Sequence, residues 1–199
     1  MAATSRPVIT LFESYGSGAS VVGPRVAEAL GVPFLGQAYS SEQLEEAERA
    51  EGGVVERVLQ FLGRVGVDAA AGSVTEAEER DRALATMQRV RDAAADGVVV
   101  LGRNATVILA DHPGAVHVKL DGPLEQRVAR AAAEAGIPLA EASRRQARED
   151  RVRAEMSLRL YNWDPRSNDR FDLVVNTGLV GLDAAVDLIL AAHRVLAQR

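Results

Sequence analysis

Val8-Ile9-Thr10-Leu11-Phe12 is followed, after Glu13 and Ser14, by Tyr15-Gly16-Ser17-Gly18-Ala19-Ser20, and then by Val21 to Leu30, whose apolar residues recur at helical spacing until Gly31. The first run is short, β-branched and apolar on both faces except at Thr10, the pattern of a strand buried between two layers. The chain therefore opens as strand, glycine turn and helix. Such a turn can cradle phosphate, because its backbone N–H groups converge and the helix N-terminus adds partial positive charge. Glycine permits the positive φ and the close approach that this requires.

Outward from that opening, a short second strand is expected near Val32 to Leu35. Ser40-Ser41-Glu42 marks a helix start, and a charged helix runs over 41–50. A more apolar one follows over 54–63, with Val54, Val58, Phe61 and Leu62 on one face. The small, glycine-bearing stretch 66–75 reads as a loop. Thr75-Glu76-Ala77-Glu78 then starts a long helix ending near Gly97. Val98-Val99-Val100-Leu101 is the clearest buried strand, closing in Gly102-Arg103-Asn104 and a short helix to Ala110. Val116 to Leu120 alternates, as a strand with one less buried face does. Pro123 sits at a favoured first helical position of a helix to Gly136. A densely charged helix over 139–160, a last strand at Leu173-Val174-Val175 and an amphipathic helix from Leu182 to Leu196 complete the pattern. Alternating strands and helices predict an α/β fold: a parallel sheet of about five strands flanked by helices on both faces. With no repeat, low-complexity tract or linker, 1–199 reads as a single domain in which about 40–95 is a variable helical segment.

Composition bounds the function. With 199 residues, 47% hydrophobic and 26% charged, the chain can fill a core without staples. The absence of cysteine excludes disulfides, thiolate zinc sites and cysteine nucleophiles, and suits a reducing, cytoplasmic setting. Met1 to Pro7 lacks a leader's basic and apolar regions, and no apolar run approaches the ~20 residues that span a bilayer. A net charge of −5 argues against a broad nucleic-acid surface. The expected partners are small molecules, with neither nucleic acid nor membrane, while small alanine-rich helix faces permit a homodimer. His112 and His117 have no third ligand nearby, so no metal site is predicted. Ser14 and Ser17 lack a histidine partner and a G-x-S-x-G frame.

Set against the phosphate-loop pattern G-x-x-x-x-G-K-[ST], Gly18 takes the second glycine position and Glu13 the first. Ala19 falls at the lysine and Ser20 at the hydroxyl that reaches a magnesium ion. One glycine and the lysine are missing, so this is a degenerate Walker A. The loop alone leaves two readings open, a phosphate cradle or an ordinary strand-to-helix turn.

The segment Val8 to Gly23, centred on Tyr15-Gly16-Ser17-Gly18, resembles the opening of the cytidylate kinase-like family, of the P-loop nucleoside monophosphate kinase type. That family carries Arg-Glu before this centre and Gly-Arg-Glu after it. Here Glu13-Ser14 and Ala19-Ser20-Val21 stand instead, so the loop holds no cation and Glu13 adds a negative charge. Val98 to Ala105 resembles the family's second site, a strand ending in Gly-Arg. The resemblance implies that Arg103 grips the acceptor phosphate, as suits a guanidinium fork beyond a strand's carboxyl end. Asn104 stands where cytidylate kinases carry aspartate. Asn162-Trp163-Asp164-Pro165, then Phe171-Asp172-Leu173 and Asn176-Thr177, resemble the family's Trp-x-x-Pro, Tyr-Asp-Leu and Asn-Thr. Trp163 reads as a packing anchor.

Arg144, Arg145, Arg148, Arg151 and Arg153 fall within ten residues, beside Glu149 and Asp150. By spacing, Arg144, Arg148 and Arg151 share a helix face, which alone describes a solvated helix laced with ion pairs. The resemblance implies more: a lid over about 138–170, with Asp150-Arg151-Val152-Arg153 matching the family's Asp-x-x-Arg. In phosphoryl transfer, arginines brought by a closing lid stabilise the transition state. Arg148, Arg151 and Arg153 would do so here, with Asp150 orienting them or helping to hold magnesium. Arg127 and Arg130 sit where kinase relatives carry arginines ahead of the lid. Arg130 joins Arg103 and Asn104 as an acceptor-site candidate, while Arg127 reads by default as an exposed helix arginine.

The implied activity is transfer of the ATP γ-phosphate, with Mg2+, to a nucleoside monophosphate (CMP-like) or other small acceptor. Tyr15, Gly16, Ser17, Gly18, Ala19 and Ser20 would hold the donor phosphates, with Ser20 on the magnesium. The alternative is a catalytically impaired kinase fold that binds a nucleotide, an anionic metabolite or a protein partner. A purely structural role for the fold is the third reading.

Overall fold

A computed structural model describes residues 6–38, 41, 43–44, 76–102 and 104–197. The helices expected over 41–50 and 54–63, apart from helical positions 41, 43 and 44, and the loop over 66–75 lie outside the described residues, as does Arg103.

The apolar run at the start becomes β1 (Val8–Glu13), the middle strand of a five-stranded sheet. Strands β2 (Phe34–Leu35) and β3 (Val98–Leu101) lie on one side of it, and β4 (Ala115–Asp121) and β5 (Leu173–Asn176) on the other, in the order β2-β3-β1-β4-β5. Every pairing is parallel, with Thr10 opposite Val100 on one side and His117 on the other. Helices α1 (Ala19–Leu30) and α6 (Thr177–Leu196) cover one face, where Ile9, Leu11, Val118 and Leu120 meet Val22, Val26 and Ile189. Helices α2 (Glu76–Ala95) and α3 (Ala105–Ile108) cover the other, where Val8, Val98 and Val100 meet Val90 and Ala105. Coverage on both faces explains why β3 is an uninterrupted apolar run and why β1 is apolar on both faces apart from Thr10 up to Phe12. Helices α4 (Leu124–Ala135) and α5 (Leu139–Tyr161) follow β4 and pack against each other. Among the described residues, no helix is long and apolar enough to cross a membrane.

Thr10, the polar break in β1, is fully buried but partnered. Its Oγ1 lies 3.1 Å from Thr106 Oγ1 and 2.8 Å from His117 Nδ1. Burial holds the His117 imidazole below its ordinary pKa and His112 adds to the lowering, while Asp172 pulls the other way. The unfolded chain therefore binds this proton more readily, and His117 contributes a loss of stability as pH falls through the unfolded value of about 6.5. The expected result is that urea midpoints fall between about pH 7 and pH 5, and fall less in His117→Asn. Parallel profiles for the two proteins would remove His117 from that account.

The alternation in β4 holds at Val116, His117 and Val118, but Lys119 is only 5% exposed. The segment after α5 folds over it: Lys119 Nζ donates to Pro165 O at 3.2 Å, Arg166 O at 3.3 Å and Asn168 Oδ1 at 3.1 Å. Trp163, 4% exposed, anchors that segment between Phe12 and Phe171, with ring centroids 6.4 and 5.6 Å away. The closing helix divides at Gly181 (φ 79°, ψ 169°), so a main part begins at Leu182 as expected. The extra turn before it starts at Thr177, where Asn176 Oδ1 accepts from the N–H groups of Gly178 and Leu179.

Candidate active site

β1 is the point where the sheet's connections part, towards β2 and β3 on one side and β4 and β5 on the other. In such sheets the crevice beyond the carboxyl ends of the strands at that point is where ligands bind. The turn leaving β1 lies there. Gly16 (φ 79°) and Gly18 (φ 87°) take left-handed conformations, and Ser17 N–H and its hydroxyl both donate to Ser14 O. The turn opens directly into α1, so backbone N–H groups and the helix dipole face one spot.

Two of those N–H groups are engaged by side-chain carboxylates. Ala19 N–H donates to Glu13 Oε1 at 3.2 Å, and Tyr15 N–H donates to Asp150 Oδ1 of α5 at 2.8 Å. The turn's carbonyls are held from behind by α4. Arg127 Nη1 donates to Tyr15 O at 2.8 Å and to Asp150 Oδ2 at 3.1 Å, and its Nε donates to Gly122 O at 3.0 Å. Arg130 Nη1 donates to Gly16 O at 2.8 Å and to Thr177 Oγ1 at 3.2 Å. A turn without a cation of its own is thus framed by two arginines from a neighbouring helix.

Helix α5 lies over this turn on one buried face: Arg145, Arg148, Glu149, Val152, Arg153 and Met156. Arg153 pairs with Glu149 at 2.8 Å, with both side chains almost fully enclosed. The same guanidinium reaches Gln37 Oε1 at 3.4 Å and lies 3.7 Å from Asp150 Oδ1. Glu149 also accepts from the Ser41 hydroxyl. Ser157 Oγ lies 2.5 Å from Asn104 Oδ1, which joins α5 to the turn after β3. Burial pushes the Glu13 carboxyl's pKa up against the lowering pull of Arg153, and burial followed by Glu149 pushes that of Tyr15 up.

The expected stripe of Arg144, Arg148 and Arg151 is divided: Arg148 is 8% exposed and buried with Arg145 and Arg153, whereas Arg144 and Arg151 face outward. Spacing marks which residues share a face; packing of α5 on α4 and the glycine turn decides which face is covered. Arg151 lines a cleft of about 590 Å³ at the carboxyl ends of β1 and β4, with Phe12, Ser14, Asp121, Asp150 and Leu158. Arg127, expected on an exposed helix face, lines the same cleft and is 8% exposed.

Of the residues singled out by sequence, Tyr15, Gly16, Ser17, Gly18, Ala19, Asp150, Arg153 and Arg130 come together around the turn. Asn104 joins them through α5, and Ser20 is exposed in the first turn of α1. Lys119 and Asp121 were not anticipated, although their place at the carboxyl end of a strand beside β1 is a signal for both.

A parallel sheet of this order, with a glycine turn at its switch point, is the architecture of a P-loop kinase. A gluconokinase from Sinorhizobium meliloti 1021 shares that fold, with a TM-score of 0.52 and 21% identity over 98% of this chain and 96% of the other. The chain belongs to the cytidylate kinase-like family, whose model matches residues 8–179. It is 28% identical over 182 residues to a cytidylate kinase from Ignicoccus hospitalis, covering 92% of this chain and 96% of that one. It is also 39% identical over 104 residues to part of a uronate isomerase from Corynebacterium glutamicum, covering 52% of this chain but only 20% of that protein's length. Fold and family together class the chain with kinase-like phosphotransferases.

Proposed function

We propose that the chain transfers the γ-phosphate of ATP, bound as its magnesium complex, to a nucleoside monophosphate such as CMP. The observation that carries this reading is the docking of α5 on the glycine turn, Asp150 to Tyr15 N–H at 2.8 Å, with the buried Arg148 and Arg153 close to Tyr15 at the sheet's switch point. In this reading α5 is the lid. It lifts to admit ATP, Asp150 leaves Tyr15 N–H, and donor phosphates take the amides of the 15–20 turn. An acceptor phosphate oxygen then attacks the γ-phosphorus as the bond to the β,γ-bridging oxygen breaks and ADP leaves. Arg148, Arg151 and Arg153 neutralise the charge on the transferring group. Arg127 and Arg130 hold the loop's carbonyls and so fix the direction of its N–H groups. Ser20 and Asp150 are the chain's contributions to the magnesium that arrives with ATP. Arg103 grips the acceptor phosphate beside Asn104. The reading places the protein in the cytoplasm, with its nucleotide substrates.

A second reading, a fold that binds without turnover, is favoured by one observation: Glu13 already occupies the Ala19 N–H. The test is calorimetry with magnesium-ATP, with and without CMP, on the wild type and Arg103→Ala. Binding of both nucleotides, with CMP affinity reduced about tenfold or more in the variant, is the expected result. Failure of the wild type to bind either nucleotide at millimolar concentration would sink the kinase reading. The partial match to a uronate isomerase adds sugar acids to the acceptor panel for turnover assays.

A further inference from the structure

We infer that Glu13 is a built-in occupant of the donor loop: its side chain holds the amide seat that a phosphate would take, and anions enter only as it leaves. The inference rests on the reading of the 15–20 turn as the donor-phosphate seat.

Glu13 is the last residue of β1 and stands where the full phosphate-loop pattern has glycine. A glycine there leaves the space above the turn open. Glutamate fills it, reaching six residues along the chain to accept from Ala19 N–H at 3.2 Å. Its other oxygen accepts from Gln37 Nε2 at 3.3 Å. A carboxylate at a helix N-terminus receives the same N–H and dipole stabilisation that a phosphate receives there. The two anions therefore compete for one seat.

The surroundings sharpen the competition. The charged groups that act on Glu13 are Arg153 and Glu149 on α5 and Glu134 on α4. Arg153, which would meet a bound phosphate, is already paired with Glu149 and lies near Asp150. An incoming anion thus meets a seat in which Arg153 is already paired and one carboxylate already sits. Burial, which raises the Glu13 pKa against the pull of Arg153, favours the protonated form of that carboxylate. Glu13 would then set which anions the loop accepts and at what pH.

The test uses the full chain and two probes, inorganic pyrophosphate and sulfate, by calorimetry on the wild type and Glu13→Gln. Glutamine keeps an oxygen for Ala19 N–H and removes the charge. The expected result is pyrophosphate binding about tenfold or more tighter in the variant near neutral pH. Sulfate stays a dianion through the acid range, so its titration reports the protein. Wild-type sulfate affinity should rise as pH falls from about 8 to about 5, with a flatter profile in the variant. Equal pyrophosphate affinities with parallel sulfate profiles would overturn the role of Glu13 and leave the donor seat standing. If neither protein binds either anion, the turn is not a phosphate seat, and both readings fall. Should Glu13→Gln fail to fold, the wild-type sulfate profile alone decides, a flat one overturning the proposal.

Discussion

Replacing Gly16 by alanine is expected to destabilise the fold by about 3 kcal/mol or more and to abolish the anion binding proposed for the turn. Two independent terms add. Gly16 has φ +79°, and a left-handed conformation costs a residue with a Cβ roughly 1–2 kcal/mol. The new Cβ would also lie 2.3 Å from Arg127 O, a backbone atom in α4 that cannot swing aside as a side-chain tip can. Relief requires that the turn and α4 separate, which strains the Arg127 and Arg130 bonds to Tyr15 O and Gly16 O. Gly136→Ala is the control: φ is +64° there, but nothing lies within 4 Å of the added Cβ, so only the first term applies. Urea unfolding of the two variants separates strain from clash. Equal destabilisation would mean that the turn and α4 adjust freely, contrary to the close contact described.

The opening strand, turn and helix were legible because each is bounded by residues whose backbone physics is local. Gly16, Gly18 and Gly31 all take positive φ in the structure, whereas Pro123, expected at the first helical position, is the non-helical N-cap just before α4 (ψ 132°). Val98 to Leu101 was legible for another reason: a strand covered on both faces leaves an unbroken apolar run. Lys119 and Arg127 were not legible, because a cation in a strand or helix pattern reads as a solvated face. Their burial is made by distant segments, 162–171 folding over β4 and the glycine turn closing on α4. The same limit applied to α5, whose spacing grouped Arg144 with Arg148 although packing divides them. Glu13 stood out in the sequence as an anion beside a phosphate pattern. That its carboxylate reaches Ala19 N–H depends on the turn's three-dimensional course.

Arg127→Met is expected to be the most damaging single change of charge, destabilising the protein by about 3 kcal/mol. Its side chain is about 10% exposed and joins three pieces: the exit of β4 at Gly122 O, the glycine turn at Tyr15 O and helix α5 at Asp150. Methionine fills much of the volume but leaves those acceptors without their cation. Asp150 keeps Tyr15 N–H and Gln146 Nε2 as donors, the latter at 2.7 Å, so its carboxylate is not stranded, which holds the expected loss near the lower end for a broken buried pair. Arg127→Lys should recover little, because an ammonium cannot reproduce a planar fork that donates in three directions. A double-mutant cycle with Asp150→Asn isolates the link between α4 and α5: a coupling of about 1–2 kcal/mol is expected. A cycle that closes with no coupling would assign the loss to the two backbone carbonyls and to Asp121, whose Oδ1 lies 3.6 Å from Arg127 Nε. In that case Arg127 would brace the turn without fastening α5 to it, and closure of α5 would rest on Asp150 and Tyr15 N–H.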